Sequence, residues 1–178
     1  MRTLLIIATI LIATSCAEYK VRSSQDPKAK FDKYTTWCWF NNCNPTYEGP
    51  DYLVAQATLD KISNVIAEEI SNKGYIQGDE NADLVVDYQL ILKEDSARNA
   101  IIYEEQEPLW EQYEHADDYH HFLKGSLIIY IADREQGKIV FKSVTERYLP
   151  SHPEITYAEL RKGIKRALKD LPPKAKNN

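Results

Sequence analysis

The chain carries one unbroken apolar block, followed by stretches in which apolar and polar residues alternate with a clear period. The block runs from Leu4 to Thr14, preceded by Arg2 and closing in Ala13, Thr14 and Ser15 ahead of Cys16. A charged start, a short apolar core and small residues before a cut site predict a secretory signal peptide over residues 1–15. The block falls well short of the roughly 20 apolar residues a membrane-spanning helix needs. Residues 19–25 read as a first short strand, and Phe31–Phe40, rich in aromatics and Thr, as a second that ends in an Asn/Pro turn cluster. Leu59, Ile62, Val65, Ile66 and Ile70 recur at three- and four-residue steps, which predicts a helix over 52–73 with Asp51 as N-cap and Gly74 just past its end. Over Asp83–Lys93 the even positions Leu84, Val86, Tyr88, Leu90 and Leu92 are apolar, as on a strand buried on one face.

The pattern breaks over residues 94–124, read as a long loop with a short helix from Pro108 to His115. It resumes in strands 126–132 and 138–148, joined by a hairpin turn at Asp133–Gly137. A basic amphipathic helix over 157–171 follows, stopped by Pro172-Pro173. The order β-β-α-β-loop-β-β-α predicts an α+β two-layer sandwich: one mainly antiparallel sheet of about five strands with two helices packed on one face. Residues 16–18 would be an anchored N-terminus, 19–174 a single domain and 175–178 a disordered tail.

Charge narrows the function. The chain has 22 basic and 27 acidic residues, a net charge of −5, and losing Arg2 with the leader makes the balance more acidic by one. That is a poor fit to nucleic acid, which calls for clustered Lys and Arg, and it disfavours docking onto anionic lipid heads. Beyond the leader, no apolar run is long enough to span a bilayer.

The leader resembles a bacterial lipoprotein signal, which implies that Cys16 is lipidated and becomes the mature N-terminus. Ala13 stands where Leu is usual. Several acyl chains on one cysteine would anchor the domain stably. Within that resemblance Ala17 after the cysteine favours the outer membrane, and Glu18 alone is a weak hint of surface export, so the periplasmic face is the expectation and the cell surface the alternative. That leaves Cys38 and Cys43. Outside the cytoplasm these could close a disulfide across the Asn41–Pro45 turn, provided their Cα atoms lie within about 7 Å, for about 2 kcal/mol of loop entropy. The alternative is two unpaired thiols, one packed in a strand and one in a loop.

Four stretches, in this order, resemble the DUF4136 family of Gram-negative lipoproteins. They are Phe31, Tyr34, Thr36 and Trp39; Lys73-Gly74-Tyr75 followed by Ala82-Asp83-Leu84; Lys124-Gly125-Ser126-Leu127 with the hairpin strand after it; and Leu171-Pro172-Pro173-Lys174. The resemblance implies an envelope lipoprotein with no settled biochemical role. Two departures stand out. Phe141 replaces a frequent Trp, and the acidic, His-containing segment 103–122 replaces a Gly-, Tyr- and Trp-rich loop.

No nucleophile elbow, phosphate-binding loop, dinucleotide fingerprint or zincin helix is present, so no catalytic residue and no cofactor is assigned. His115, Asp118 and His121 could meet around a metal if the chain curls, but such runs are usually solvated, and no metal is assigned. Tyr103, Trp110, Tyr113, Tyr119 and Phe122 form the candidate recognition surface for an envelope protein or a glycan. The competing reading folds them back as a lid over the sheet. The sequence therefore points to a non-enzymatic binding or assembly module tethered to a membrane. The alternative is an envelope hydrolase acting on glycan or peptide through the carboxylates of segment 103–122, which would need two of them converging in a cleft.

Overall fold

A computed structural model describes residues 19–98, 119–150, 153 and 155–174, with backbone only at 95–98 and 119–121. The leader, Cys16, the helix expected at Pro108–His115 and the tail 175–178 lie outside the described residues. The elements are β1 (Lys20–Gln25), β2 (Thr36–Trp39), β3 (Thr46–Glu48), α1 (Gln56–Asn72), β4 (Ile76–Gln77), β5 (Leu84–Arg98), β6 (Tyr119–Asp133), β7 (Lys138–Pro150) and α2 (Tyr157–Ala167). They form a single sheet in the order β1-β7-β6-β5-β2-β4, with β3 joining β5 beyond the end of β2.

The α+β architecture with two helices stands, but the sheet has seven strands among the described residues, not about five, and it is mixed. β1, β7, β6 and β5 are successively antiparallel, whereas β2 and β3 run parallel to β5, and β4 parallel to β2. The parallel pairs follow from connectivity, because the chain passes from β2 to β5 through α1, and a crossover of that kind returns a strand in the same direction. β3 and β4 are three and two residues long, too short to show an alternation. The second strand also contracts, since Phe31–Lys33 turn and pairing begins only at Thr36.

The segment expected as a loop is partly strand. β5 and β6 stay paired from Leu84↔Asp133 out to Arg98↔Tyr119. Past Leu92 and Leu123 it is the backbone ladder that continues, satisfying its own donors and acceptors.

Helix α1 begins at Gln56 after an uncapped Ala55, so Asp51 is not its cap. α2 begins on a capping box in which the Thr156 hydroxyl accepts from the Glu159 amide and the Glu159 carboxylate accepts from the Thr156 amide. Both helices lie on one face of the sheet. Ile62, Val65, Ile66 and Ile70 of α1 and Ile164 and Ala167 of α2 share a core with Trp37, Val86, Tyr88, Ile129, Ile131 and Phe141 from the strands. Burying each large apolar side chain contributes about 1.5–3 kcal/mol. The other face carries half-buried Val85, Gln89, Ile128, Tyr130 and Val144, and no described helix or strand packs on it.

The end of the chain ties this sandwich to its short strands. The Lys174 ammonium donates to the carbonyls of Asp32 (3.1 Å) and Tyr34 (2.6 Å) and to the Thr35 hydroxyl (2.7 Å). The Lys174 amide donates to the Lys73 carbonyl, the Lys73 ammonium to the carbonyls of Lys169 and Leu171, and the Tyr75 hydroxyl to the Pro172 carbonyl. Gly74 sits at φ +93°, and a Cβ there would lie 3.1 Å from the Lys174 Cβ, so both backbone shape and close approach require glycine. One Asp83 carboxylate oxygen accepts from the amides of Thr35 (2.7 Å) and Thr36 (2.9 Å) and from the Thr36 hydroxyl (3.1 Å).

The Thr36 amide first, then those of Thr35 and the Thr36 hydroxyl, hold the Asp83 carboxyl below its ordinary value of 3.8. A depressed folded-state pKa adds stability that is complete above the ordinary value and fades as pH falls through the folded one. Asp83→Ala should therefore lower stability by about 1 kcal/mol at pH 7, read by urea unfolding, and the gap to wild type should close as pH drops below about 4. A gap unchanged down to about pH 2 would show that the carboxylate's charge is not what holds Thr35 and Thr36.

Candidate functional site

The two layers do not meet everywhere. Toward the start of both helices they leave a pocket of about 160 Å³. Its floor is the sheet, at Leu90, Gly125, Leu127 and Thr145; Leu53 and Val54, ahead of α1, and Ile164 of α2 close it from above. Gly125 lets Leu92 and Leu149 close over β6, since a Cβ there would come within 3.3 Å of the methyl groups of both. Gly163 does the same for Tyr19, whose ring lies where a Cβ would be, 3.0 Å away.

One wall is polar. Arg147 pairs with Glu159 at 3.2 Å and donates to the Tyr19 hydroxyl at 3.0 Å, and that hydroxyl donates to the Glu159 carbonyl at 3.1 Å. The guanidinium carbons of Arg147 and Arg166 lie 5.1 and 5.3 Å from the centre of the Tyr19 ring. The Thr156 amide and hydroxyl, then Arg147, keep the Glu159 carboxyl below its ordinary pKa. Both charges are thus matched within the wall. Thr145 is different. It is 6% exposed, and its hydroxyl has no hydrogen-bond partner among the described residues. A mainly apolar, charge-matched pocket suits a neutral apolar group.

A second, more polar cleft lies at the far end, lined by Lys28, Lys30, Lys33, Tyr34, Asp133 and Arg134. Its buried groups are committed to the fold. Asp133 accepts from the Tyr34 hydroxyl at 2.7 Å and from the Gln136 amide at 2.8 Å, which closes the β6–β7 turn. Burial, then Asp133, pushes the Tyr34 hydroxyl's pKa up.

Few of the residues singled out from sequence fall among the described residues. Cys16, Tyr103, Trp110, Tyr113, His115 and Asp118 lie outside the described residues, and Tyr119 and His121 are placed in β6 by backbone alone. Phe122 is half-buried and meets Tyr148 edge-on, with centroids 5.1 Å apart. Tyr148 is 64% exposed, so the pair forms an aromatic patch on the sheet face away from the helices. Tyr148 escaped notice because strand alternation accounts for it without a function. Among the described residues no three His, Cys, Asp or Glu side chains come together to hold a metal.

The Cys38–Cys43 disulfide is not formed; both thiols are free. Trp37 faces the helices, so alternation turns Cys38 to the opposite face, where its sulfur accepts from the Arg134 guanidinium at 3.0 Å. Cys43, in a left-handed conformation after the 3₁₀ turn Phe40–Asn42, sits on the helix side and donates to the Ser63 hydroxyl of α1 at 3.1 Å. The turn forms as expected but sends the two sulfurs to different sides of the sheet. Burial raises the Cys43 thiol's pKa.

The family model described as "Domain of unknown function (DUF4136)" matches residues 21–173. The chain belongs to the DUF4136 family. Among solved structures it is similar to the PelC dodecamer from Paraburkholderia phytofirmans, at 9% identity and a TM-score of 0.52 over 88% of this chain and 99% of that one. A single-substitution form of the same dodecamer gives 11% identity and a TM-score of 0.51 over 89% and 99%. A DUF4136 family protein from Bacteroides thetaiotaomicron is 16% identical, with a TM-score of 0.49 over 86% and 96%. No curated protein matches the chain. At these identities the PelC likeness establishes the fold alone.

Most of the DUF4136-like motifs recognised in the sequence meet at the Lys174 tie, where Tyr34, Thr36, Lys73, Gly74, Tyr75, Asp83 and Pro172 all contribute. Of the motif residues, Gly125, Ser126 and Leu127 reach the pocket. Thr145→Val should raise the stability of the ligand-free domain by about 1 kcal/mol, because it removes a buried hydroxyl that nothing satisfies. Urea unfolding measures this, and a loss of stability would mean that the hydroxyl has a partner.

Proposed function

We propose that this DUF4136 protein is a non-enzymatic binding or assembly module of the bacterial cell envelope, held in the outer membrane by lipid on Cys16 and facing the periplasm. The observation that carries the proposal is the leader ending at Cys16, three residues before Tyr19, where the described fold begins. Three residues reach about 10 Å, so the domain works close against the membrane without a stalk. No described helix is long and apolar enough to cross a bilayer.

The interior supports binding over catalysis. The buried hydroxyls of Tyr34, Tyr75 and Tyr88 are spent on Asp133, the Pro172 carbonyl, and the Leu59 carbonyl with Ser63. The PelC structures are dodecamers, which favours assembly, with this fold as the repeated unit. The partner would be an envelope protein or a glycan, with nucleic acid disfavoured by the acidic balance.

In-cell crosslinking followed by pull-down of the native protein should recover a defined envelope partner or further copies of the chain. A Cys16→Ser variant should leave the membrane fraction and lose that recovery. If the native protein yields nothing beyond the Cys16→Ser control, the binding and assembly role fails.

A further inference from the structure

We propose that the pocket between the sheet and the two helices seats the carbonyl end of one acyl chain of the protein's own Cys16 lipid. The inference rests on the lipid anchor of the preceding section and adds where one chain of that anchor goes.

Three independent observations converge on it. The first is chemical. The pocket is apolar on every side but one, and on that side Arg147 and Glu159 neutralise each other. A free fatty acid or a phosphate head would bring an unmatched negative charge into this wall, whereas an ester- or amide-linked acyl chain brings none. The second is the Thr145 hydroxyl, more than nine-tenths buried in the pocket floor and without a partner among the described residues. No water-sized group touches that oxygen from the pocket, so it reaches a bound carbonyl oxygen only after the Thr145 side chain turns about its Cα–Cβ bond to another staggered rotamer. The acyl carbonyl of a lipidated cysteine is such an acceptor, at the head of a hydrocarbon chain that the surrounding leucines suit.

The third is the tether. Tyr19 forms part of the pocket wall, and its ring is fixed against Gly163, Arg147 and Glu159. Cys16 lies three residues upstream, and Val21, two residues downstream of Tyr19, pairs with Thr145 across β1 and β7. The anchor therefore starts within about 10 Å of the pocket wall, and a short tether presents its chain at an effective concentration on the order of millimolar. A modest intrinsic affinity suffices at that concentration. The pocket volume of about 160 Å³ matches cavities that take a benzene-sized group, so it holds a carbonyl and the first few methylenes while the rest of the chain continues to the bilayer. Seating one chain this way fixes the domain's orientation on the membrane; the remaining chains keep it anchored.

The test uses the full-length protein, produced in cells fed a fatty acid with a diazirine a few carbons from the carboxyl, then purified in detergent and irradiated. The mass of the N-terminal peptide first reports whether Cys16 is acylated. An unmodified Cys16 overturns the anchor itself, separately from the pocket. With acylated Cys16, the expected product joins the N-terminal peptide to peptides containing Leu127, Thr145 or Leu53. Thr145→Val should cut its yield severalfold with acylation unchanged, and Leu53→Trp, which fills the pocket from its rim, should nearly abolish it. Thermal melts check that both variants fold. The pocket peptides joined to a phospholipid, or the N-terminal peptide joined only to detergent and lipid, would overturn the proposal.

Discussion

The ammonium of Lys174 holds three oxygens of the segment 32–35 at once, at 3.1, 2.6 and 2.7 Å, and the rest of the fold leans on that contact. β2 is only four residues long and lies on β5 through three paired positions. A ladder that short cannot hold a strand by itself. Yet β2 delivers Trp37, fully buried, to the centre of the core. Lys174 fixes the entry to β2 from one side and Asp83 from the other. Lys73 and Tyr75, just past α1, then grip the same C-terminal segment. Burial lowers the Lys73 ammonium's pKa, the cost of placing that charge where two carbonyls can use it. The crossover β2–α1–β5 and the C-terminal helix are thus locked together by residues far apart in sequence.

This accounts for what the family pattern can and cannot say. Residues shared in kind and order along the chain, such as Lys73-Gly74-Tyr75 and Pro172-Pro173-Lys174, specify a corner of the fold. Replacing Gly74 would meet both a positive φ and the Lys174 side chain. Such a motif serves the corner itself and says nothing of what the protein binds. The pocket depends on residues of another kind. Thr145, Arg147 and Glu159 lie on β7 and α2, outside the motifs that carried the resemblance.

Strong periodicity made the long elements legible. The stripe Ile62, Val65, Ile66 and Ile70 and the even positions Leu84, Val86, Tyr88 and Leu92 of β5 are buried where their spacing puts them. Legibility failed where side chains stop reporting on the backbone. β3 and β4 are held by a few ladder bonds to their neighbours, and the outer ribbon of β5 and β6 is paired over a stretch whose sequence shows no apolar alternation. The cysteines show a different limit. Spacing and turn formers allow Cys38 and Cys43 to approach, but the face each sulfur takes depends on how Asn41, Asn42 and Cys43, all at positive φ, end the strand. The pocket was illegible for a related reason. Gly125 reads in sequence as one more strand residue and Thr145 as an ordinary β-former; their meaning appears only when Leu92, Leu149 and the start of α2 are brought over them.

The place of the pocket in the fold bears on how the chain enters its first strand. Arg147 lies on the helix face of β7, a position that alternation otherwise gives to Phe141, Ser143 and Thr145. A guanidinium on that face is expensive unless something pairs with it. Glu159 does so from the first turn of α2, and Tyr19 does so from the residue that leads into β1. The first described residue of the domain is therefore built into the wall of this apolar pocket, so the path of the N-terminal segment and the shape of the pocket are not independent. A force applied through the N-terminal segment would pass Tyr19 before it reaches the sheet, and Tyr19 bears on Gly163 of α2 and Arg147 of β7. The entry to β1, the pocket wall and the packing of α2 meet at this one aromatic ring.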